Sequence, residues 1–256
     1  DYARDAPPLS ERGVGRIFDA VNRGKESIAV DLTTDEGQIL VHRLVADADV
    51  VVEGFRPGVA ERLGIDYDSL ETVNPNLVYC SLSGYGQSGP WADRPGHDLN
   101  YVGLTGLLDM TRADQSESPR IPGVPIADMA GGLFAAFAIV GALCSRALGN
   151  TDGERLDVSM TDVVFSFTHV FACDALAGAD PRPGETLLTG RDPWYDVYET
   201  AGGRYLTLAA IEPKFWRNFC EAIGREDLVS LHGTEDPAER RALRESLNEL
   251  FARSEE

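Results

Sequence analysis

The chain has few lysines and little positive charge overall, and this shortage excludes whole classes of partner. Its two lysines are Lys25 and Lys214, and 42 acidic residues against 23 basic ones give the 256-residue chain a net charge of −19. A field of that sign repels nucleic-acid phosphates and anionic lipid, so we expect neither nucleic acid nor a membrane as a partner. Low lysine with a large acid excess is typical of proteins that work in concentrated salt, which favours a halophilic source.

The sequence also lacks clustered cysteines and histidines. Its four cysteines are far apart, without a CxxC pair. This usage indicates a reducing compartment, so we expect a cytoplasmic protein in which Cys80, Cys144 and Cys173 are small core residues. No histidine belongs to an HExxH or similar motif, and we expect no metal. The longest apolar run, residues 129–143, is about 15 residues long and too short to span a bilayer.

Apolar runs alternate with helical periodicity along the first two thirds of the chain. Runs centred on β-branched residues at 27–32, 49–53, 77–82 and 155–160 predict buried strands, and the segments between them have helical spacing. Strands that alternate with helices form parallel sheets. We therefore predict an α/β fold with a Rossmann-like large domain over residues 1–185.

The pattern changes in the last third of the chain. Residues 178–193 are rich in glycine and proline and predict a linker, and residues 197–208 predict a β-hairpin. Glu212 and Pro213 then begin an amphipathic helix. We predict a smaller α+β domain over residues 186–256.

Four side chains stand at positions where an α/β fold can carry chemistry. His97 lies between a glycine-rich turn and a helix, where the helix dipole disfavours protonation and keeps an imidazole available as a base. Asp128 and Asp162 lie at helix starts, and at the carboxyl edge of a sheet a carboxylate such as Asp162 could attack a thioester. Glu212 directly precedes a helix. Each residue could equally be a helix cap or a partner of the helix dipole, and for His97 and Asp128 the residues alone favour that interpretation.

Six segments, taken in order, resemble the family III CoA-transferase superfamily, the carnitine-dehydratase and bile-acid-inducible (CaiB/BaiF) type. They are RGKES and AVDL within residues 23–32, VEGFRPG at 52–58, SGYGQSGP at 83–90, GHDLNY at 96–101, IAD at 126–128 and AIEPKF at 210–215. FRPG and SGYGQSGP are family-wide segments, whereas GHDLNY and AIEP are more typical of the α-methylacyl-CoA racemase branch.

The resemblance implies an enzyme that inverts the α-carbon of a 2-methyl-branched acyl-CoA thioester. His97 and Asp128 would be the two acid/base residues, facing the α-carbon from opposite sides, and Glu212 would be a supporting acid near His97. No cofactor is implied, because CoA is part of the substrate. The implied CoA and substrate contacts are Val30, Asp31, Leu32, Thr33, Phe55, Arg56, Pro57, Gly58, Gly96, Asp98, Leu99, Asn100 and Tyr101.

The same resemblance leaves alternatives open. One is CoA transfer between two carboxylic acids with Asp162 as the nucleophile, and another is an acyl-CoA-binding protein without catalysis. Ser81 departs from the racemase branch, which often carries arginine at that position. Family members form interlocked homodimers whose active site lies between the large domain of one chain and the small domain of the other. They also extend beyond both ends of this sequence, so we expect a truncated chain.

The acid excess generates a first prediction. We expect cooperative folding only in molar salt, because the Debye length falls to about 3 Å at 1 M and self-repulsion of the carboxylates is then screened. Urea unfolding followed by circular dichroism in dilute buffer and in molar potassium chloride measures the effect. Equal free energies of unfolding in the two solutions would contradict it.

Overall fold

A parallel sheet organises the first part of the fold in a computed structural model, which describes residues 2–254. Within those residues the parallel sheet has three strands, in the order β1-β2-β3. They are β1 (Val50–Glu53), β2 (Val78–Ser83) and β3 (Glu154–Ser159). Val50 pairs with Val78, which in turn pairs with Glu154. Three of the four predicted strands and the parallel α/β class are thus confirmed.

Helices connect and cover these strands. They are α1 (Arg16–Val21), α2 (Asp35–Val45), α3 (Val59–Arg62), α4 (Tyr67–Glu71), α5 (Asp98–Leu104), α6 (Ile126–Ala147), α7 (Met160–Phe167) and α8 (His169–Leu176). The segment after β3 forms two helices, because α7 ends at Phe167 and the buried Thr168 separates it from α8.

The fourth predicted strand, at residues 27–32, is wrong. The segment is irregular and ends in a turn, and Ile28 is 66% exposed. A β-branched run becomes a strand only when a neighbouring strand supplies ladder hydrogen bonds, and no strand among residues 2–254 pairs with this segment. The helix that follows is α2, and Thr34 caps it, its Oγ1 accepting the Gly37 N–H at 3.1 Å.

Helix α6 lies directly on one face of the sheet. Ala130 and Ala135 of the helix pack against Cys80 of β2. Gly131 permits a close approach, because a Cβ there would lie 2.6 Å from Met160 Cγ. Met160 directly follows β3, so the first turns of α6 lie at the carboxyl end of the strands.

Helices α2, α3 and α4 cover the opposite face. Their core includes Val45, Leu70 and Tyr79, and the Tyr79 hydroxyl donates a hydrogen bond of 3.0 Å to the Ile65 carbonyl. The central strand β2 is therefore buried on both faces, as is usual in parallel sheets.

Helix α6 is also exposed along one side, which we call the α6 face. Its residues are Met129, Leu133, Phe137 and Val140, exposed by 62%, 70%, 77% and 64%. The helix is 22 residues long and largely apolar, so by length and composition alone it could cross a membrane. The prediction that the apolar segment is too short to span a bilayer is therefore wrong, because the helix extends beyond residues 129–143 at both ends. Core helices of water-soluble folds meet the same two criteria.

The cysteines divide differently from the prediction. Cys80 is buried as expected, whereas Cys144 and Cys173 are exposed. Both lie on helices whose apolar sides are only partly covered in this chain. Cys220 is buried and belongs to a second core.

That second core belongs to the last part of the chain. The predicted hairpin is present as β4 (Tyr195–Glu199) and β5 (Tyr205–Ala209), paired antiparallel, and α9 (Pro213–Ala222) follows with Glu212 at its N-cap. Helix α10 (Pro237–Phe251) had no counterpart in the sequence prediction. Trp216 is fully buried here and its Nε1–H donates to the Leu228 carbonyl at 3.0 Å. The domain boundary at residue 185 stays a prediction.

Candidate active site

Loops at the carboxyl ends of β1 and β2 enclose a cavity of about 180 Å³. Open α/β sheets bind ligands at this edge, because the connecting loops converge there. The predicted contacts that line it are Phe55, Arg56, Pro57, Gly96 and Tyr101. Five of the thirteen predicted CoA and substrate contacts therefore meet in one place, although they come from segments about 40 residues apart.

The wall of this cavity depends on tight packing of Tyr101 between two glycines. A Cβ at Gly84 would lie 2.5 Å from the Tyr101 ring, and one at Gly96 would lie 2.6 Å from it. The Tyr101 hydroxyl donates to the Gly96 carbonyl at 2.7 Å, and the Tyr85 ring packs edge-on at 5.1 Å. Tyr101 thereby holds the loop before α5 against the end of β2.

Burial raises the pKa of the Tyr101 phenol, with smaller contributions of the same sign from Tyr85 and Asp128. The phenol therefore remains protonated at neutral pH. It can keep donating its hydrogen bond to the loop that carries His97.

His97 is the N-cap residue of α5. Its backbone is extended, and its N–H donates to the Asn100 side-chain oxygen at 3.0 Å. The helix start predicted here is confirmed, and the imidazole stands on an exposed residue beside the cavity wall.

A carboxylate of α5 joins this helix to the start of α6. Asp98 Oδ1 accepts the Ala127 N–H at 2.6 Å and the Asp128 N–H at 3.2 Å. Asp128 is not the N-cap of α6, because the helix begins at Ile126 and Pro125 occupies that position. The capping interpretation of Asp128 is therefore wrong, and the carboxylate that satisfies these amides comes from another helix.

This linkage places Asp128 within electrostatic range of His97. Much of Asp128 is accessible to solvent, but the protein around its carboxyl removes enough water to raise the pKa. The charge of Asp98 raises the Asp128 pKa further, and His97 acts in the opposite direction. The site therefore pairs an imidazole with a carboxyl group that takes up a proton more readily than an ordinary aspartate.

Asp162 and Glu212 do not line this cavity. Asp162 is an exposed residue in the first turn of α7, and its N–H donates to the Ser159 hydroxyl at 3.1 Å. Glu212 is exposed at the N-cap of α9 in the last part of the chain. Within residues 2–254 no recorded contact joins either carboxylate to His97 or Asp128.

The remaining predicted contacts do not reach the cavity. Residues 30–33 are irregular, and Asp31 accepts hydrogen bonds from the Thr33 backbone and hydroxyl, which lower the Asp31 pKa. Gly58 is the N-cap of α3 and has a φ of 74°, so the chain can turn sharply there. Leu99 and Asn100 are exposed on the first turn of α5.

Two cavity residues were missed by the sequence analysis. Arg94 lines the cavity, and its guanidinium lies over the Trp91 ring at 5.4 Å. Ser83 has a buried Oγ without a hydrogen-bond partner among the described residues. Arg94 lies three residues before His97, between the SGYGQSGP and GHDLNY segments. Its positive charge close to the GHDLNY motif is the signal that could have identified it.

Ser81 lines a second cavity of about 190 Å³ on the face of the sheet covered by α3 and α4. Arg155 of β3 lines the same cavity, so a guanidinium is present near the position where the racemase branch often carries arginine. Among residues 2–254 no group of three or more histidine, cysteine, aspartate or glutamate side chains could hold a metal ion. The expectation of a metal-free site stays a prediction.

Comparison with known proteins decides the family. The sequence model of CoA-transferase family III matches residues 1–256. The chain belongs to CoA-transferase family III. A CAIB/BAIF family protein from Brucella suis has a similar structure, with a TM-score of 0.82 and 32% identity over 100% of this chain and 69% of that one. The family resemblance drawn from the motifs is thus confirmed.

The family's curated relatives include more than one kind of enzyme. Succinate--glutarate CoA-transferase of Agrobacterium fabrum is 35% identical over 85% of this chain and 55% of that protein. Alpha-methylacyl-CoA racemase of Homo sapiens is 34% identical over 85% of this chain and 56% of that protein. The chain spans about half the length of these two relatives. Its sequence identity to the racemase is about the same as its identity to the transferase.

Packing around Tyr101 generates a second prediction. Gly84→Ala should lower the free energy of unfolding by about 1–3 kcal/mol, because the added methyl overlaps the Tyr101 ring. Gly54→Ala is the matched control in the same cavity, since its Cβ would lie at an ordinary 3.7 Å from the nearest atom. Urea unfolding of both variants measures the difference, and equal stabilities would contradict the packing argument.

Proposed function

We propose that the protein is a racemase that inverts the α-carbon of a 2-methyl-branched acyl-CoA thioester. The observation that carries this proposal is the convergence of His97 and Asp128 at two helix starts that Asp98 joins by hydrogen bonds. An imidazole and a carboxyl group so placed form a pair of acid/base groups. The reaction needs such a pair, and it needs no metal or redox cofactor.

The chemistry follows from the acidity of a proton beside a thioester. One base removes the α-proton from one face, an enolate forms, and the conjugate acid of the other base returns a proton to the opposite face. A raised Asp128 pKa favours the acid form that can return a proton, and a neutral imidazole such as that of His97 can remove one. We expect a backbone N–H beside Asp98 to bind the enolate oxygen.

Binding of CoA requires cations in a strongly acidic protein. The cavity supplies Arg56 and Arg94, whose guanidinium groups are suited to bidentate contacts with phosphate oxygens. Phe55 and Pro57 add an apolar wall for the pantetheine chain. These contacts would position the thioester at the cavity mouth near His97.

CoA transfer is the second candidate, because the relatives include succinate--glutarate and acetyl-CoA:oxalate CoA-transferases. In that reaction a carboxylate attacks the thioester carbonyl, CoA leaves as the thiolate, and a mixed anhydride remains on the enzyme. Asp162 is the nucleophile that the sequence analysis proposed. Asp128 is the carboxylate that lies beside His97, so a test must include both residues.

The decisive measurement is exchange of the α-proton. In the protein as its gene encodes it, a 2-methylacyl-CoA incubated in deuterated buffer should gain deuterium at the α-carbon and lose its stereochemical purity. His97→Ala and Asp128→Asn should each lower the exchange rate by about 10²–10⁴-fold, whereas Asp162→Asn should not.

Different results support the second candidate. Retention of the α-proton, together with a hydroxylamine-sensitive adduct that disappears in Asp128→Asn or Asp162→Asn, would contradict the racemase and favour CoA transfer. Calorimetric binding of CoA without either reaction would contradict both.

We further propose that two copies associate and that Glu212 of one copy completes the site of the other. The α6 face is the support from this chain, because monomeric proteins rarely expose apolar patches of this extent. The idea of a site shared between two chains comes from the family resemblance. It agrees with the absence of any contact between Glu212 and His97 within residues 2–254 of one chain.

Association generates its own prediction. Phe137→Glu should convert a dimer to monomers in light scattering, because it places a charge at the centre of the α6 face. Ile17→Glu on α1 is the control, since it adds the same charge to an exposed residue elsewhere.

Mixing inactive His97→Ala and Glu212→Gln chains should restore roughly a quarter of the activity, because half of the dimers are then mixed and each of these contains one intact site. No restoration after subunit exchange would contradict the composite site.

A further inference from the structure

Asp98 occupies an unusual position for the first residue of a helix. Its carboxylate bonds to the start of another helix, and a single oxygen, Oδ1, accepts the N–H groups of both Ala127 and Asp128. These residues are 29 and 30 positions away in sequence. Pro125, the N-cap residue of α6, has no side-chain group that could accept these bonds. The start of α6 therefore depends on α5 for its capping carboxylate.

The two proposed bases lie on either side of this linkage. His97 is the residue covalently bonded to Asp98, and Asp128 donates its own backbone N–H to Asp98. The shortest path of covalent and hydrogen bonds from the His97 imidazole to the Asp128 carboxyl group thus passes through the Asp98 side chain. Groups that act on opposite faces of a carbon atom must hold their separation closely, since misplacement by about 1 Å can cost 10²-fold in rate.

We propose that Asp98 is a positioning residue, which sets the separation and orientation of His97 and Asp128 and does not itself bind the substrate. This inference rests on the proposed racemase function and replaces the substrate contact that the family resemblance implied for Asp98. A carboxylate already engaged by two backbone donors has one oxygen left for any other partner.

The charge of Asp98 has a second effect at the same site. It lies near the Asp128 carboxyl and raises the Asp128 pKa, while His97 opposes it. Tyr101, one turn further along α5, interacts with both Asp128 and Arg56 of the loop after β1. The charge of Asp98 therefore acts on one of the two proposed bases, in addition to capping the start of α6.

Two substitutions separate position from charge. Asp98→Asn keeps an oxygen acceptor and the side-chain shape but removes the charge, whereas Asp98→Ala removes both. Asp98→Ala should lower kcat for α-proton exchange by about 100-fold with a much smaller change in KM, because the bases lose their relative position. Asp98→Asn should lose less activity and should shift the limb of the kcat profile that reports Asp128 to lower pH, because removing the Asp98 charge lowers the Asp128 pKa. Asp93→Asn, which removes a charge from the preceding loop, is the control for surface charge.

Two further readouts need no turnover. Hydrogen exchange of the peptide containing residues 126–130, followed by mass spectrometry, should be faster in Asp98→Ala than in the unmodified protein and close to normal in Asp98→Asn. Carbon-13 NMR of the Asp128 carboxyl should show its titration moving to lower pH in Asp98→Asn and staying in place in Asp93→Asn.

These readouts keep the two proposals distinguishable. If the unmodified protein shows no α-proton exchange, the racemase proposal fails. The amide hydrogen-exchange data and the carbon-13 NMR data still decide the role of Asp98. Unchanged amide exchange in Asp98→Ala, or an unmoved Asp128 titration in Asp98→Asn, would overturn the positioning role. Should Asp98→Ala fail to fold, kcat, KM and the Asp128 titration of Asp98→Asn, compared with Asp93→Asn, decide.

Discussion

Two hydrogen bonds from the first turn of α6 to one oxygen of Asp98 hold the candidate site together. They connect the 22-residue helix that covers the sheet to the short helix that carries His97. A negative charge at the start of a long helix is favourable for its dipole, so the linkage also stabilises α6. Buried packing of Tyr101 and Val102 with Ala127 brings the two helices together, and the Asp98 linkage fixes their polar ends.

The second requirement of the site is close backbone packing at the carboxyl edge of the sheet. Gly84 and Gly96 leave room for the Tyr101 ring, and the ring in turn holds the loop that leads into α5. Gly131 has the same effect on the other side, where α6 meets Met160. Small residues at three contacts therefore allow the helices to bring polar groups to a common edge.

Local patterns in the sequence predicted much of this fold. The valine-rich run of β1 and the start of α9 at Pro213 depend on neighbours within a few residues, and the structure confirms both. Residues 27–32 have an equally suitable composition but lack a paired strand, which no local pattern reveals. Helix α10 is polar over much of its length, and only its packing on the core around Trp216 makes its apolar side evident.

The candidate site was predictable in part for the same reason. His97 and Asp128 belong to recognisable motifs, and both were identified from the sequence. The Asp98 linkage spans 29 residues, so its partners become apparent only when α5 and α6 pack together. The placement of Glu212 depends on how two chains or two domains meet, which neither spacing nor one chain determines.

The α6 face has a consequence for how copies of this chain respond to their solvent. Two chains that each carry a net charge of −19 repel one another over long distances in dilute buffer, and salt shortens that range. Strongly hydrated salts also favour removal of apolar surface from water. Both effects act in the same direction, so burial of the α6 face against a second copy would make subunit assembly respond to ionic strength.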